Sequence, residues 1–378
     1  MKNLIFKSAL FFFFSVMILS GCEKDPLTAP GGNVFQDLGP SFNIDKFEQN
    51  LQEALDGNVT GYTYSISKNG VKYTDGANGH AVVPDANGRG GIDQSPDKRM
   101  TIASISKTMT AIAFYKVCEE VGMVVETPIK WYIPQSWDVH ETMEDVTFGD
   151  LLRHESGIRE GGSSYTSLRE IVETGVNPAH KGNNYYLNAN YAFFRVIIPH
   201  ILHYSDMYEI KDDHDLLETE TADIFREYMQ DEVFSPISVN NVKWTPDNTN
   251  PTLCYNYDDE SDPWLTGDYN LTAGPYGLYL SANNVLNAFA HAKYDNDYLA
   301  PQYRDLLLNE GMGTKKKYGD HGLYPSHGGD WKSGGRGMTG LVMSFPNNVE
   351  ASLLINCRNG DISNKYTVMI EAFDNAWE

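Results

Sequence analysis

The chain has 378 residues, 41% of them hydrophobic, and a formal net charge of −22 at pH 7. Such an acidic chain does not favour nucleic acid as a partner, and its charge does not attract it to anionic lipid. The length suffices for one large domain or two smaller ones, and the sequence contains neither a second linker nor an internal repeat. We therefore expect a single folded domain over residues 44–378.

Residues 1–21 have the pattern of a secretory signal peptide. Lys2 and Lys7 give a positive start, and a Phe-rich apolar run follows that is too short to predict a membrane-spanning helix. The run ends in Leu-Ser-Gly-Cys22, which resembles a bacterial lipobox whose cysteine becomes lipidated. An ordinary signal peptide with a chance cysteine is the alternative. Residues 22–43 are rich in Pro, Gly and polar residues and predict a tether.

The resemblance to a lipobox also implies a location. It indicates an exported protein of the bacterial cell envelope that is attached to the membrane by a lipid on Cys22. An aspartate directly after the lipidated cysteine resembles an inner-membrane retention signal, and here that position is Glu23. We therefore expect the protein at the outer membrane.

Three cysteines remain after the signal peptide, Cys118, Cys254 and Cys357. An odd number of cysteines argues against a framework of several disulfides, although three cysteines can still form one bridge. The apolar surroundings of Cys118 and Cys357 favour simple packing. The sequence contains no C-x-x-C or H-E-x-x-H, so we predict no metal site and no cofactor. The carboxylates of the polar loop at residues 246–268 leave open a cation site, against the alternative of a solvated loop.

The first third of the chain predicts a helix, a hairpin and a second helix. Apolar residues recur at helical spacing over residues 43–55, and alternating strands at 61–68 and 71–75 flank an Asn-Gly turn. A polar, Gly-rich segment over residues 76–98 predicts a loop. The run that follows Met100 is continuously apolar and predicts a buried helix that ends near Gly122.

The remainder predicts helices and loops over about residues 131–284 and strands afterwards. The expected helices cover residues 146–157, 191–204, 283–293 and 366–377, and the expected strands cover residues 322–325, 338–345 and 350–356. Strands at both ends of the chain predict an α/β fold of the α+β type, in which both termini supply one antiparallel sheet flanked by helices. The sheet part would comprise residues 44–130 and 285–378, and the helical part residues 131–284.

The tetrad S-x-x-K occurs three times, at Ser65 and Lys68, at Ser95 and Lys98, and at Ser104 and Lys107. The first lies on a predicted strand, where residues three apart point to opposite faces, and the second lies in a polar loop. Only Ser104 and Lys107 lead into an apolar helix, so their side chains share one face. A serine hydroxyl needs a neighbouring group to take its proton, and the helix N-terminus favours a developing anion. A coincidental serine and lysine is the alternative.

Two later motifs contain further candidate residues. Tyr186 and Asn188 lie two apart at a loop-to-helix junction, where a phenol beside an ammonium could ionise at reduced cost and act as a base. A core tyrosine and a helix-capping asparagine are the alternative. His327 follows a short apolar strand in Ser326-His-Gly-Gly-Asp-Trp331, where a structural histidine is also possible.

In this order the three motifs resemble those of the serine β-lactamase and penicillin-binding protein superfamily. The tyrosine-led second motif is similar to class C β-lactamases, D-alanyl-D-alanine carboxypeptidases and family VIII esterases. Three further segments resemble the family pattern: Ile102-Ala-Ser-Ile-Ser-Lys-Thr108, Leu151-Leu-Arg-His-Glu-Ser-Gly157 and Gly277-Leu-Tyr-Leu-Ser-Ala282. The resemblance covers roughly residues 44–378 and implies a β-lactamase-like fold.

The resemblance also implies the roles of the site residues. Ser104 would attack a carbonyl and become acylated, while Lys107 would hold Ser104 and Tyr186 in a proton network. Tyr186 would be the general base and would then return the proton to the leaving group, and Asn188 would position the substrate. In the third motif His327, Gly329 and Asp330 would bind the substrate. The backbone N–H groups of Ser104 and Asp330 would form an oxyanion hole.

Departures from the family pattern concern the substrate, a small molecule or peptide. Class C enzymes carry Lys where this chain has His327, and relatives carry Thr where it has Gly328. Arg336 either replaces the lost anion contact or is a surface residue. We therefore expect an esterase or D-amino-acid peptidase rather than an efficient β-lactamase. The alternatives are a true class C-like β-lactamase and a non-catalytic or slowly acylating lipoprotein that binds peptidoglycan or peptides.

Overall fold

In a computed structural model of the protein, the structure describes residues 41–358, 360–362 and 364–378. The predictions for the signal peptide, Cys22 and most of the tether fall outside the described residues. Within the described part, no helix is both long and apolar enough to cross a membrane. No group of three or more potential metal-ligating side chains occurs there either.

A ten-stranded sheet is the centre of the described residues, with the principal strand order β12-β5-β10-β11-β1-β2-β3. β6 extends from β5, while β9 pairs with β10 and β8 pairs with β9. β4 and β7 form a separate pair. The strands are β1 (Gly61–Lys68), β2 (Val71–Val82), β3 (Ile92–Asp93), β4 (Met100–Thr101), β5 (Cys254–Asn256), β6 (Asp259–Trp264), β7 (Tyr279–Leu280), β8 (Lys315–Gly319), β9 (Gly322–Ser333), β10 (Arg336–Phe345), β11 (Val349–Ile355) and β12 (Cys357–Arg358).

Helices cover the sheet on both faces. The α-helices are α1 (Ile44–Leu55), α2 (Ser106–Val121), α3 (Phe148–Leu152), α4 (Tyr165–Thr174), α5 (Asn188–Leu202), α6 (Tyr204–Glu209), α7 (His214–Tyr228), α8 (Ala282–Tyr294), α9 (Pro301–Leu308) and α10 (Lys365–Asp374). α1 and α10 bury Phe47 and Phe373 in one core. α2 and α8 belong to the second core, which they share with the helical part of the chain. The helix α2 is buried on nearly all sides, which explains its continuously apolar sequence.

The predicted sheet built from both termini is confirmed, since β1 pairs with β11 over Tyr62–Lys68. The expected polar loop at residues 246–268 needs correction, because it contains β5 and β6. β6 has the sequence Asp-Glu-Ser-Asp-Pro-Trp and is exposed along much of its length, so no apolar alternation marks it as a strand. β2 likewise extends to Val82, into the segment that was expected to be a loop.

Two further local predictions change. The helix expected to end at Gly157 ends at Leu152, because His154 adopts a left-handed backbone conformation with φ 58°. The third motif lies in the middle of β9 rather than after a short strand, since β10 pairs with it from Ser326 to Ser333. Its glycines and polar residues gave no strand pattern. Cys118, Cys254 and Cys357 are buried and unbridged, as simple packing requires.

A buried carboxylate links the helix α8 to the sheet. Glu350 of β11 accepts hydrogen bonds from Lys293 Nζ at 2.6 Å, from Tyr294 Oη at 2.6 Å and from Ser67 Oγ at 2.7 Å. The Glu350 side chain has no solvent exposure and that of Lys293 has 16%. The carboxylate therefore depends on these donors for the solvation that it has lost.

We expect Glu350→Ala to lower the free energy of unfolding by roughly 3–5 kcal/mol, because it leaves the Lys293 ammonium without its partner. Denaturant unfolding followed by circular dichroism measures the change. A charge-free double variant, Lys293→Met with Glu350→Leu, should recover most of that loss. A single variant that unfolds within about 1 kcal/mol of the wild type would contradict a stabilising role for this ion pair.

Candidate active site

Ser104 lies in a 3-10 turn, Ala103–Ile105, that leads directly into α2. The preceding residue Ala103 has φ 46°, a left-handed value that costs a non-glycine residue about 1–2 kcal/mol. Gly329 of β9 packs against this turn. A Cβ atom at Gly329 would lie 2.2 Å from the carbonyl oxygen of Ile102 and 3.1 Å from the Ser104 nitrogen. The strand and the turn therefore meet backbone to backbone.

Lys107, one helical turn after Ser104, is fully buried. Its Nζ lies 2.8 Å from Asn188 Oδ1, 2.9 Å from the Pro275 carbonyl oxygen and 3.0 Å from Ser104 Oγ. The first two oxygens only accept hydrogen bonds, so they take two N–H groups and leave the third position of Nζ facing the Ser104 hydroxyl. Asn188 and Lys107 are thus brought together with Ser104, as the sequence predicted.

The protonation state of Lys107 follows from its burial. Loss of solvation, reinforced by the positive charge of Lys315, lowers the pKa of Lys107 well below its ordinary value. Burial therefore favours the neutral amine. The nitrogen lone pair then points at Ser104 Oγ and can accept the hydroxyl proton.

The Tyr186 ring lies between two lysines. Its centroid is 4.8 Å from Lys107 Nζ and 4.1 Å from Lys315 Nζ. Burial raises the pKa of the Tyr186 phenol to about 12, and a hydrogen bond with Ser104 opposes this rise. The sequence predicts that a neighbouring ammonium lowers this pKa. Desolvation is instead the largest effect and raises it, so the phenol keeps its proton at neutral pH.

His154 contacts the other side of Tyr186, with the ring centroids 4.5 Å apart. Its Nδ1 accepts the backbone N–H of Leu187 at 3.3 Å and therefore carries no proton. Burial is the main cause that lowers the pKa of His154 to about 3, and a positive charge on Lys107 or Lys315 would lower it further. His154 lies in a segment that matches the family pattern, but no role was predicted for it.

His327 is buried in β9, and its ring centroid is 6.5 Å from that of Tyr186. Its Nδ1 lies 2.9 Å from the carbonyl oxygen of Gly328, which can only accept, so Nδ1 carries the proton and Nε2 is left to accept. Burial is the main cause that lowers the pKa of His327 well below its ordinary value, and a positive charge on Lys107 or Lys315 would lower it further. The imidazole is therefore neutral.

The Asp330 side chain points away from Ser104. Side chains alternate along a strand, and Gly329 is the residue that faces the Ser104 turn. The Asp330 carboxylate instead contacts Lys365 Nζ at 2.5 Å and accepts from Thr339 Oγ1 at 2.7 Å. A contact between this carboxylate and the substrate, one form of the predicted binding role, is therefore not supported.

The backbone N–H of Asp330 has the opposite orientation. The Gly329 carbonyl oxygen accepts from Lys365 Nζ at 2.9 Å and lies 3.5 Å from Thr339 Oγ1 of β10. In a trans peptide the following N–H points the other way, so that of Asp330 points away from β10. β8 pairs with β9 only as far as Ser326, so this N–H lies on an edge that no described strand covers.

Comparisons with known proteins identify the family and the fold of the chain. The model of the beta-lactamase family matches residues 44–361. The chain belongs to the beta-lactamase family. The predicted family resemblance and the β-lactamase-like fold are therefore confirmed. No curated protein sequence matches the chain.

Several solved structures share the beta-lactamase fold of this chain. FmtA from Staphylococcus aureus is 14% identical, with a TM-score of 0.67 and coverage of 90% of this chain and 92% of that chain. A beta-lactamase/D-alanine carboxypeptidase from Pseudomonas syringae is 16% identical, with a TM-score of 0.66 and coverage of 88% and 98%. A D-amino acid amidase from Ochrobactrum anthropi SV3 is 16% identical, with a TM-score of 0.64 and coverage of 87% and 99%.

A tyrosine from α10 occupies the space beside Gly328, where the sequence departs from the family. A Cβ atom at Gly328 would lie 2.5 Å from Tyr366 Oη and 2.7 Å from Lys365 Cε. The Tyr366 hydroxyl also forms a hydrogen bond with the Gly328 backbone, while burial raises the pKa of Tyr366 to about 12. The space beside Gly328 is therefore occupied by a phenol from α10.

Arg336 is engaged by a carboxylate. Its Nη1 lies 2.9 Å from Asp262 Oδ2, in an ion pair that joins the β9–β10 hairpin to β6. This favours the surface alternative over the anion contact. Lys315, at the start of β8, is exposed and forms no ion pair within the described residues. Its position near the site was not predicted, because a run of three lysines at the start of an exposed strand gives no indication of a site.

We expect Gly329→Ala to reduce kcat/KM on any substrate of Ser104 by about 100-fold or more, since the added methyl must displace the Ser104 turn. Steady-state kinetics and thermal unfolding of the purified variant check this. Gly267→Ala is the matched control, because no atom lies within 4 Å of a Cβ at Gly267. Wild-type kinetics in Gly329→Ala would show that the packing of β9 on the turn is not needed for activity.

Proposed function

We propose that the protein is a serine hydrolase that cleaves an ester or amide through an acyl-enzyme on Ser104. The contact geometry of Lys107 is the observation that carries this proposal. Two carbonyl-type oxygens hold its Nζ, and the remaining position faces Ser104 Oγ at 3.0 Å. A buried lysine arranged in this way supplies the base that a serine nucleophile needs.

Acylation proceeds in three proton transfers. Ser104 Oγ forms a bond to the substrate carbonyl carbon while its proton passes to the neutral Lys107 amine. As the bond to the leaving group breaks, that group takes a proton from the Tyr186 phenol, and Lys107 returns its proton to the tyrosine. Water then attacks the acyl carbon, releases the acid and restores the Ser104 hydroxyl. The raised pKa of Tyr186 supports a proton donor rather than the general base suggested by sequence.

The developing oxyanion would be bound by the backbone N–H groups of Ser104 and Asp330. Both belong to the two segments that meet at Gly329, and each such donor is worth roughly 3 kcal/mol in other enzymes. His154 would fix the Tyr186 ring, and Asn188 would fix the Lys107 amine. The neutral His327 would offer Nε2 as a hydrogen-bond acceptor to the substrate.

We expect a fluorophosphonate probe to label the wild type and to leave Ser104→Ala unlabelled, because the probe reacts with an activated serine. Gel fluorescence and intact mass measure the label. Ser65→Ala is the matched control, since Ser65 belongs to the S-x-x-K tetrad on β1 and its Oγ has no hydrogen-bond partner in the described chain. Equal labelling of Ser104→Ala would exclude Ser104 as the nucleophile. Labelling of the wild type without turnover would instead favour a slowly acylating binding protein.

The pH dependence provides a separate prediction. Activity requires the neutral Lys107 amine, so kcat/KM should rise as pH passes the lowered pKa of Lys107. Lys315→Met removes a positive charge that contributes to this lowering. The pKa of Lys107 should therefore rise, and the acid limb should move to higher pH by about half a unit. The profile of kcat/KM on an uncharged ester measures it, and a shift to lower pH would contradict Lys107 as the base.

The substrate proposal rests on the neutral His327 and on the absence of a hydroxyl at Gly328. Neither group gives a charged contact to the carboxylate of a β-lactam. We expect kcat/KM for p-nitrophenyl esters or D-amino-acid amides to exceed that for nitrocefin by about 10-fold or more, since a charged hydrogen bond is worth roughly 1.5–3 kcal/mol. A hydrolysis panel at one pH tests this, and faster hydrolysis of nitrocefin than of every ester and amide would reverse it.

A further inference from the structure

Lys365 approaches the site from the opposite side of β9. It is the first residue of α10, and only 5% of its side chain is exposed. Its Nζ donates to the Gly329 carbonyl oxygen at 2.9 Å, to Asp330 Oδ2 at 2.5 Å and to Thr339 Oγ1 at 2.9 Å. All three acceptors belong to β9 and β10, so this one side chain joins α10 to the strand that carries the third motif.

The hydrogen bonds identify the charge of Lys365. A carbonyl oxygen and a carboxylate only accept, and Thr339 Oγ1 already donates its proton to Asp330 Oδ1 at 2.7 Å. All three bonds around Nζ must therefore use lysine protons. A neutral amine has only two, so the group is an ammonium.

The position of this ammonium at the N-terminus of α10 is unfavourable for the stability of the helix. The N-terminus of a helix carries partial positive charge and favours acidic side chains, whereas Lys365 places a cation there. Burial adds a desolvation cost, which lowers the pKa of Lys365 against the opposing effect of Asp330. A cation at this position is unfavourable both because of the helix dipole and because of its burial. Its presence is explained if its hydrogen bonds to β9 serve a function.

We infer that Lys365 is a positioning residue for the oxyanion hole, acting through the peptide between Gly329 and Asp330. Its ammonium binds the carbonyl oxygen of this peptide, and the N–H at the other end points to the open edge of β9 beside Ser104. A cation at the carbonyl draws electron density through the amide and strengthens the N–H as a donor, as in other hydrogen-bonded chains. The same bond fixes the orientation of the peptide plane.

This inference rests on the proposed function, and a substrate comparison tests it. Lys365→Met should lower kcat/KM on a p-nitrophenyl ester by about 10-fold, a fraction of the loss that follows removal of a whole oxyanion donor. The corresponding thionoester places sulfur in the oxyanion hole and uses its donors poorly. We expect a loss below about 2-fold for the thionoester, because the variant weakens only that interaction. Equal losses on both substrates would overturn the inference.

Two further variants distinguish the effect of the hydrogen bond to the Gly329 carbonyl from the effects of losing the ion pair and of losing stability. Asp330→Asn removes the carboxylate charge but leaves the ammonium on the Gly329 carbonyl, so it should lower kcat/KM on the ester clearly less than Lys365→Met does. A loss as large as that of Lys365→Met would assign the effect to the ion pair and overturn the inference. Lys293→Met removes another buried, paired lysine far along the sheet, at Glu350, and should reduce stability without changing the ratio of ester to thionoester rates.

An activity-independent measurement distinguishes failure of this inference from failure of the proposed function. In 15N-labelled protein the Asp330 amide proton should move upfield in Lys365→Met and stay in place in Lys293→Met. An unchanged Asp330 amide in Lys365→Met would overturn the inference even in an active enzyme. Absence of labelling and turnover in the wild type would remove the hydrolase proposal while the amide shift still reports the polarised peptide. If Lys365→Met does not fold, Lys365→Gln, which keeps a neutral donor, replaces it in both experiments.

Discussion

A fully buried lysine that has no carboxylate partner among the described residues is the constraint on which the rest of the site depends. Transfer of an ammonium from water into the protein costs several kcal/mol, and only an excellent ionic partner offsets that cost. Lys107 has two neutral oxygens and a hydroxyl instead, so burial favours the amine. A carboxylate beside Nζ would stabilise the ammonium and remove the base. The absence of ionic partners around Lys107 therefore suits the chemistry that we propose for Ser104.

The same low polarity keeps the surrounding groups neutral. Tyr186 retains its proton because the phenolate would be poorly solvated, and His154 and His327 lose theirs because their rings are buried near positive charge. Lys365 is the contrasting case, since three acceptors require the charged form. Burial lowers the pKa of both lysines, but only Lys365 has a carboxylate among its acceptors. The two lysines therefore differ in the charge of their partners and not only in depth of burial.

Much of the fold and part of the site could be predicted from the sequence, and the limits have physical causes. The helix after Ser104 was evident because most residues of α2 are apolar and buried, and the Asn69-Gly70 turn identified the first hairpin. β6 was missed because an exposed polar strand has no apolar alternation. Lys315 and Lys365 were missed because their roles depend on contacts between β8, β9 and α10. Residues this far apart in sequence have no local pattern that connects them.

Tyr366 shows how an element distant in sequence can change a motif. In relatives a threonine hydroxyl is expected beside the third-motif residue, whereas here the phenol of Tyr366 lies over Gly328. The two hydroxyls differ in reach and stiffness, because a phenol is carried on a rigid ring that is anchored in a helix. A threonine at residue 328 would collide with this ring, so glycine and tyrosine form one compatible pair. The departure at Gly328 therefore involves a contact between β9 and α10, which a motif read along one strand cannot reveal.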